Sequence, residues 1–392
     1  MLTLDRQTAS MSTTASVTAP RPSRLDGLDA ARGLAVVSML IAHLSPVGGP
    51  ANITEYLTAP LFAVIIGTSM GIHLHDRSPH PGRFLGDNLQ RGLILIVLGV
   101  LLQRMYDQII VVLPYLGVLV IVLTPLALLL HRMPVLTVGL AAGLAVVAPV
   151  IVDRARLVAN ENVATWPGWL SDLMGWVATG GAYRLATLLP MALGGLALAA
   201  VLRQVTRLPQ AWVVAGALFA ASLAAYRIGA GTASGSAAYS GTTAEVIGAT
   251  LLATGSVVAS FIMLALAERI SLRRVLEPVL ATGRLALTAY TVQILSLALL
   301  SALRDGAPDD AWWILGSSLV VVVGACWALD RWWGTGPLEW LVHRLRPRRV
   351  PDTTPPARRH PLTPMRRARP PDRPIGRRRD AQCLSGRSDG SR

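Results

Sequence analysis

The residues best suited to chemistry crowd the stretch RLDGLDAARGLAVVSMLIAHL, residues 24–44. Arg24, Asp26, Asp29 and Arg32 fill its first half, and after Gly33 nine uncharged residues lead to His43. An imidazole of near-neutral pKa can take a proton from a hydroxyl or amine as that group attacks an acyl carbon. It can also carry the acyl group itself as a covalent nucleophile. Either role needs a polar cavity, because an imidazole facing lipid has no partner for its proton. Asp29 and Arg32 are three apart, on one helical face, and can pair. One reading makes them a membrane anchor. The other sets Arg32, with Arg24 and Arg91, against the phosphates of a cytoplasmic acyl donor, whose oxygens match the planar guanidinium donors.

Other polar residues are scattered through apolar runs. Tyr290 and Gln293 share a helical face in GRLALTAYTVQILS, and a buried Gln must bond a neighbouring helix or line a cavity. Asn52, beyond the first apolar run, is placed with them as a cavity-lining residue. Arg184 precedes an apolar run, where an arginine can meet an anionic substrate, although snorkelling to the interface is the expected outcome. Gly67 and Gly71, four apart, offer a small-residue packing face. His73, His75 and His80 make a poor metal site because the first two point to different faces. Cys326 and Cys383 form no disulfide framework or metal site. No metal or resident cofactor is expected.

The elements that must hold these residues follow from composition. Only 15% of the 392 residues are charged and 52% are hydrophobic, against about 25% charged in soluble proteins. Apolar runs near 28–48, 57–75, 88–106, 109–130, 134–152, 184–202, 210–228, 245–267, 283–303 and 311–330 predict ten transmembrane helices, each close to the ~20 residues that span a bilayer. The runs lack period-two alternation, which excludes a barrel. The fold class expected is an all-α polytopic bundle. Trp166, Trp169 and Trp176, in an outer connection over 153–183, are read as an interfacial anchor.

All 36 basic residues are Arg, giving a net charge of +14. They concentrate before the first span, in alternate connections and after Leu345, which places both termini in the cytoplasm. That distribution suits orientation in a membrane and contact with anionic lipid headgroups, not a nucleic-acid partner. The first twenty residues lack an apolar core, so the first span is expected to act as an uncleaved insertion signal. Domain organisation is then 1–23, a disordered segment; 24–345, the membrane domain; and 346–392, a disordered Pro/Arg-rich tail.

The opening segment, with Leu28, Asp29, Arg32 and Gly33, then Leu61, Phe62, Gly67 and Thr68 in APLFAVIIGTSMGI, resembles bacterial transmembrane acyltransferases of the heparan-α-glucosaminide N-acetyltransferase-like group. GRLALTAYTVQ (283–293) and GPLEWLVHRL (336–345) look like the closing motifs of YeiB-like membrane proteins, and RLATLLPMALGGLAL resembles a middle span of the same group. The resemblance implies transfer of an acyl group, typically acetyl from acetyl-CoA, to a hydroxyl or amine of a saccharide across a bacterial membrane. It departs in one respect. The loop after the first span lacks the histidine and tryptophan of the heparan-type enzymes, whereas His43 falls where related O-acyltransferases tend to carry a catalytic histidine. A transporter or flippase for a lipid-linked or small polar substrate, with His43, Asn52 and Gln293 along its route, is the rival expectation. A homo-oligomer is compatible with either.

Overall fold

In the computed structural model of the chain, the described residues are 23–46, 54–162, 164–205, 207–305 and 311–345. The expected disordered segments (all of 1–23 but Ser23, and 346–392) and Asn52 lie outside them. Every regular element among the described residues is helical: α1 (Ser23–Leu44), α2 (Thr58–Arg77), α3 (Pro81–Met105), α4 (Leu113–Leu130), α5 (Pro134–Asn162), α6 (Gly168–Met174, continued by a π-helical turn over Gly175–Thr179), α7 (Leu185–Gln204), α8 (Leu208–Ala230), α9 (Thr243–Arg269), α10 (Arg273–Arg284), α11 (Ala286–Leu303), α12 (Trp312–Trp333) and α13 (Pro337–Leu345). Ten of these, α1 to α5, α7 to α9, α11 and α12, are long and apolar enough to cross a membrane. Ten was the number expected.

Packing sorts the helices. Helices α1, α2, α4, α7 and α9 bury most of their side chains, whereas α3, α5, α8 and α12 present apolar residues such as Val97, Val135, Val213 and Val320 outward. A surface as apolar as its interior is what lipid contact allows, so association rests on close packing and interhelical hydrogen bonds. The tightest crossing joins α2 to α7. A Cβ on Gly67 would strike the carbonyl oxygen of Ala192, and one on Gly195 would strike that of Val64. The Thr68 hydroxyl donates across this seam to the Gly195 carbonyl at 3.0 Å. The small-residue face anticipated around Gly67 and Gly71 is the one used.

Three boundaries differ from expectation. Helix α5 runs ten residues past 152, to Asn162, and so shortens the connection expected over 153–183. The expected ninth span, 283–303, breaks at Leu285, leaving Gly283 and Arg284 on α10 and Tyr290 and Gln293 on α11. The fourth span does not start at Ile109 but at Leu113. Gly99, six residues before the end of α3, packs on the ring of Pro114. At ~1.5 Å per residue, α4 therefore begins roughly 9 Å below the C-terminal end of α3, and the chain between Tyr106 and Val112 turns back into the bundle outside any helix.

Backbone of that kind is tolerated at membrane depth only when buried and satisfied. One side chain does most of it. The Gln103 amide donates to the carbonyls of Tyr106 (3.2 Å) and Ile109 (3.1 Å), while its oxygen accepts from the Val111 N–H at 2.7 Å. The Tyr290 hydroxyl accepts from Val112 N–H at 3.0 Å. Gln103→Leu keeps the side-chain volume and removes three of these bonds. Each buried group left unmet costs about 1–3 kcal/mol, so this variant should lose folded protein after heating in detergent far sooner than wild type, as read by size-exclusion chromatography.

Candidate functional site

The N-terminal charges of α1 meet α10 at the arginine-rich end of the bundle. The two backbones touch there: a Cβ on Gly283 would collide with the Asp29 carbonyl, and one on Gly33 with that of Val279. This contact sets Arg32 and Arg284 on either side of one opening. Arg32 donates through Nη1 to Asp29 Oδ1 at 2.7 Å and through Nη2 to Ser69 Oγ at 3.0 Å. Arg284 bonds Asp330 through Nε (3.1 Å) and Nη2 (2.5 Å), and Glu277 through Nη2 (2.5 Å). Burial by itself would lower the Arg284 pKa, but the hydrogen bonds it donates to Asp330 and Glu277, with their negative charge, outweigh it and hold the guanidinium above its ordinary value. Arg273 closes the rim by pairing with buried Asp26 at 2.7 Å.

These residues enclose a vestibule of about 440 Å³, lined by Asp26, Asp29, Arg32, Arg91, Arg284, Glu339 and His343, with apolar walls from α3 and α11. A narrower, mainly apolar slot of about 110 Å³ adjoins it, bounded by Phe62, Ile66, Ser69, Val112, Leu116 and Tyr290. Arg32, Arg91, Leu95, Ala286 and Leu287 line both. The combination is a polar mouth opening into a thin apolar bore. It accepts a ligand with an anionic head and a slender tail.

Helix α13 forms one wall. The Glu339 carboxylate accepts from the Leu287 and Thr288 N–H groups (3.0 Å each) and from the Thr288 hydroxyl (2.5 Å). These are first-turn donors of α11, which no residue of that helix can satisfy, and a carboxylate there also complements the helix dipole. This cap from another helix explains why the ninth span breaks at Leu285. Gln90 of α3 donates to the Leu345 carbonyl at the far end of α13. Trp332, Trp333 and Trp340 point outward, with Arg344 stacked on Trp340 at 4.9 Å.

The expected site residues divide. Asp29, Arg32 and Arg91 line the vestibule and Tyr290 lines the slot. The side chain of Arg24 and all of Asn52 lie outside the described residues. His43 is half-buried in the last turn of α1 and borders neither cavity. Gln293 is 1% exposed, lines neither cavity, and neither its amide nitrogen nor its oxygen has a hydrogen-bond partner. Among the described residues no three His, Cys, Asp or Glu side chains gather as metal ligands. His75 and His131 meet edge-on at 5.4 Å, each with Nδ1 on a carbonyl of its own helix. Gln103, Arg284, Asp330 and Glu339 were missed. The last three read in sequence as ordinary flanking charges, and only their pairing across α10, α11, α12 and α13 gives them a role.

A second polar cluster occupies the opposite end of the bundle. Arg184, expected to snorkel, is 1% exposed. Its Nη2 donates to the carbonyls of Gly181 (3.0 Å) and Tyr239 (2.5 Å). Burial pushes its pKa below the ordinary value, nearby Arg156 lowers it further, and Glu245 opposes both. Tyr183 packs edge-on against both Tyr115 and Tyr239, ring centres 5.6 Å apart. Burial also raises the Tyr239 hydroxyl to about 12.

Residues 196–348 match the family described as a protein of unknown function, DUF418, a YeiB-like membrane family. The matched stretch covers the end of α7 and all of α8 to α13, hence the Arg284 and Glu339 side of the vestibule and Tyr290 of the slot, but not the α1 side. Among curated proteins none matches the chain.

Replacement of Glu339 by alanine tests the wall. It strips the cap from α11, which should cost about 1–3 kcal/mol and loosen α13. A cysteine placed at His343 should then be alkylated faster in Glu339→Ala than in an otherwise wild-type chain.

Proposed function

We propose that the chain is an integral membrane acyltransferase. It takes an acyl group, acetyl in the first instance, from a CoA thioester at the arginine-rich end and passes it to a saccharide or related cell-envelope acceptor on the other side. The observation that supports this reading is the shared lining of vestibule and slot by Arg32 and Arg91. A CoA thioester is a phosphorylated nucleotide on a thin arm with the reactive carbonyl at its tip, which suits a charged mouth and a narrow bore. Arg32 has three N–H groups beyond those given to Asp29 and Ser69, enough to hold a phosphate while keeping its place.

Helix geometry links the donor end to the chemistry. Arg32 and His43 are eleven residues apart on α1, about 20° beyond three full turns and roughly 16 Å in rise. They share one face. A donor arm following that face meets guanidinium first and imidazole last. Because His43 borders neither cavity, the reading requires the passage beside Phe62 and Tyr290 to extend toward it when donor is bound.

In the reaction, His43 takes the proton of the acceptor hydroxyl or amine as that oxygen or nitrogen bonds to the thioester carbonyl carbon. The tetrahedral intermediate then breaks its carbon–sulfur bond. The thiolate of CoA leaves with the proton held by the imidazolium, and His43 returns to its neutral form. Transport is the rival, favoured by the unpartnered amide of Gln293 at depth in the bundle.

Membranes supplied with labelled acetyl-CoA and saccharide acceptors separate the two. Acyl transfer predicts labelled product, a fall of about 10²–10⁴-fold in His43→Ala from loss of the base, and a raised KM for acetyl-CoA in Arg32→Ala. Full product formation by His43→Ala removes the histidine from the chemistry. Solute flux with no labelled product selects transport.

A further inference from the structure

The polar cluster around Arg184 takes no part in the donor site, yet it holds four of the six buried side-chain atoms that lack a partner among the described residues. A guanidinium has five N–H donors. Those on Nη2 serve Gly181 and Tyr239, but Nε and Nη1, carrying the other three, are buried with nothing to bond. Glu245 of α9 is the obvious counter-charge, since it is 5% exposed and acts electrostatically on Arg184. It makes no ion pair with it. Its carboxylate instead accepts from the Gly241 N–H at 3.3 Å. The Gly241 backbone, at φ +75°, lies against the guanidinium, where a Cβ would sit 3.3 Å from its central carbon.

Two other groups at this end of the bundle share this state. The Tyr226 hydroxyl, near the end of α8, is buried and unpartnered, and its ring meets Tyr56 edge-on at 5.1 Å. Ser45 Oγ, just beyond α1, is also unmet. Among the described residues six buried side-chain atoms lack partners. Four of them belong to Ser45, Arg184 and Tyr226, at the same end of α1, α7 and α8. Orphaned donors collected at one end, around a charged group in a low-dielectric setting, mark a place that a polar occupant completes.

We propose that Arg184 anchors a binding site, at the end of the bundle opposite the vestibule, for a hydroxylated ligand bearing one carboxylate or phosphate. The anion takes the Nε and Nη1 donors side by side, in the forked geometry that guanidinium offers. Hydroxyls of the ligand then donate to Glu245 and accept from Tyr226. Simple phosphate is too compact to hold Arg184 and also reach Glu245 and Tyr226 with separate hydroxyls, so an acidic sugar is preferred over it. The 231–242 connection contributes to the site: its Tyr239 carbonyl accepts from Arg184, and Tyr239 holds a φ of +62°, rarely adopted by a side-chain-bearing residue. The proposal stands without acyl transfer, and if acyl transfer holds it describes the acceptor's side.

The test uses the full chain in phosphatidylcholine nanodiscs and follows thermal unfolding with glucuronate, inorganic phosphate or glucose. Glucuronate should stabilise wild type most, phosphate less and glucose not at all. Arg184→Gln should weaken glucuronate at least tenfold, with Arg184→Lys between. Because Arg184→Gln also cuts the bonds to Gly181 and Tyr239, Tyr226→Phe is measured beside it. That variant loses one hydroxyl and should weaken glucuronate severalfold while leaving phosphate unchanged. Stabilisation seen only when phosphatidylglycerol replaces phosphatidylcholine, and lost in Arg184→Lys, assigns the anion to a lipid headgroup. The proposal falls if no anion stabilises wild type in either nanodisc, or if glucuronate protects Tyr226→Phe and Arg184→Lys as well as wild type.

Discussion

A polar group in hydrocarbon has no water to fall back on, and that constraint governs most of what distinguishes this bundle from a stack of apolar rods. Helices answer it for their own backbones, which is why ten of them account for the spans. Where the chain departs from helix, another side chain must supply the missing bonds. Gln103 does so for the turn-back at 106–112 together with Tyr290, and Glu339 does so for the first turn of α11. In each case a few bonds worth about 1 kcal/mol net apiece, and more if left unmet, decide where a span begins.

The same constraint shapes the two ends differently. At the arginine-rich end the charges are matched: Arg32 with Asp29, Arg273 with Asp26, Arg284 with Asp330 and Glu277. Each of these three guanidiniums has a counter-ion, so the vestibule can stand open to water and accept an anion by sharing donors already held in place. At the opposite end the charge is enclosed and its partner is displaced by the Gly241 backbone. Closure of backbones at Gly33 and Gly283 makes the first arrangement possible, because only without Cβ atoms can α1 and α10 approach far enough to face Arg32 toward Arg284.

His43 shows where a sequence argument runs short. Its type, its position near the end of α1 and its shared face with Arg32 were all legible, since helical periodicity is a local property. Whether a cavity reaches it depends on α2, α3, α4 and α11 together, and His43 lines neither of the two cavities. Arg184 failed in the opposite direction. Long side chains near span ends usually reach the interface, but here carbonyls from the 181 and 239 turns, distant in sequence, converge on the guanidinium and hold it inside.

Composition and apolar run length by themselves determined the class of molecule, the number of spans and the side on which the arginines gather, because insertion into lipid depends on each segment's own hydropathy and flanking charge. The glycine face on α2 and the Asp29–Arg32 pair were equally local, four and three residues apart. What only the tertiary structure decided were the breaks and the enclosures: the start of α4 at Leu113, the separation of α10 from α11, the wall made by α13 and the burial of Arg184. Each rests on a hydrogen bond or close contact between residues far apart in the chain, and a hydropathy pattern carries no record of which distant partner will supply it.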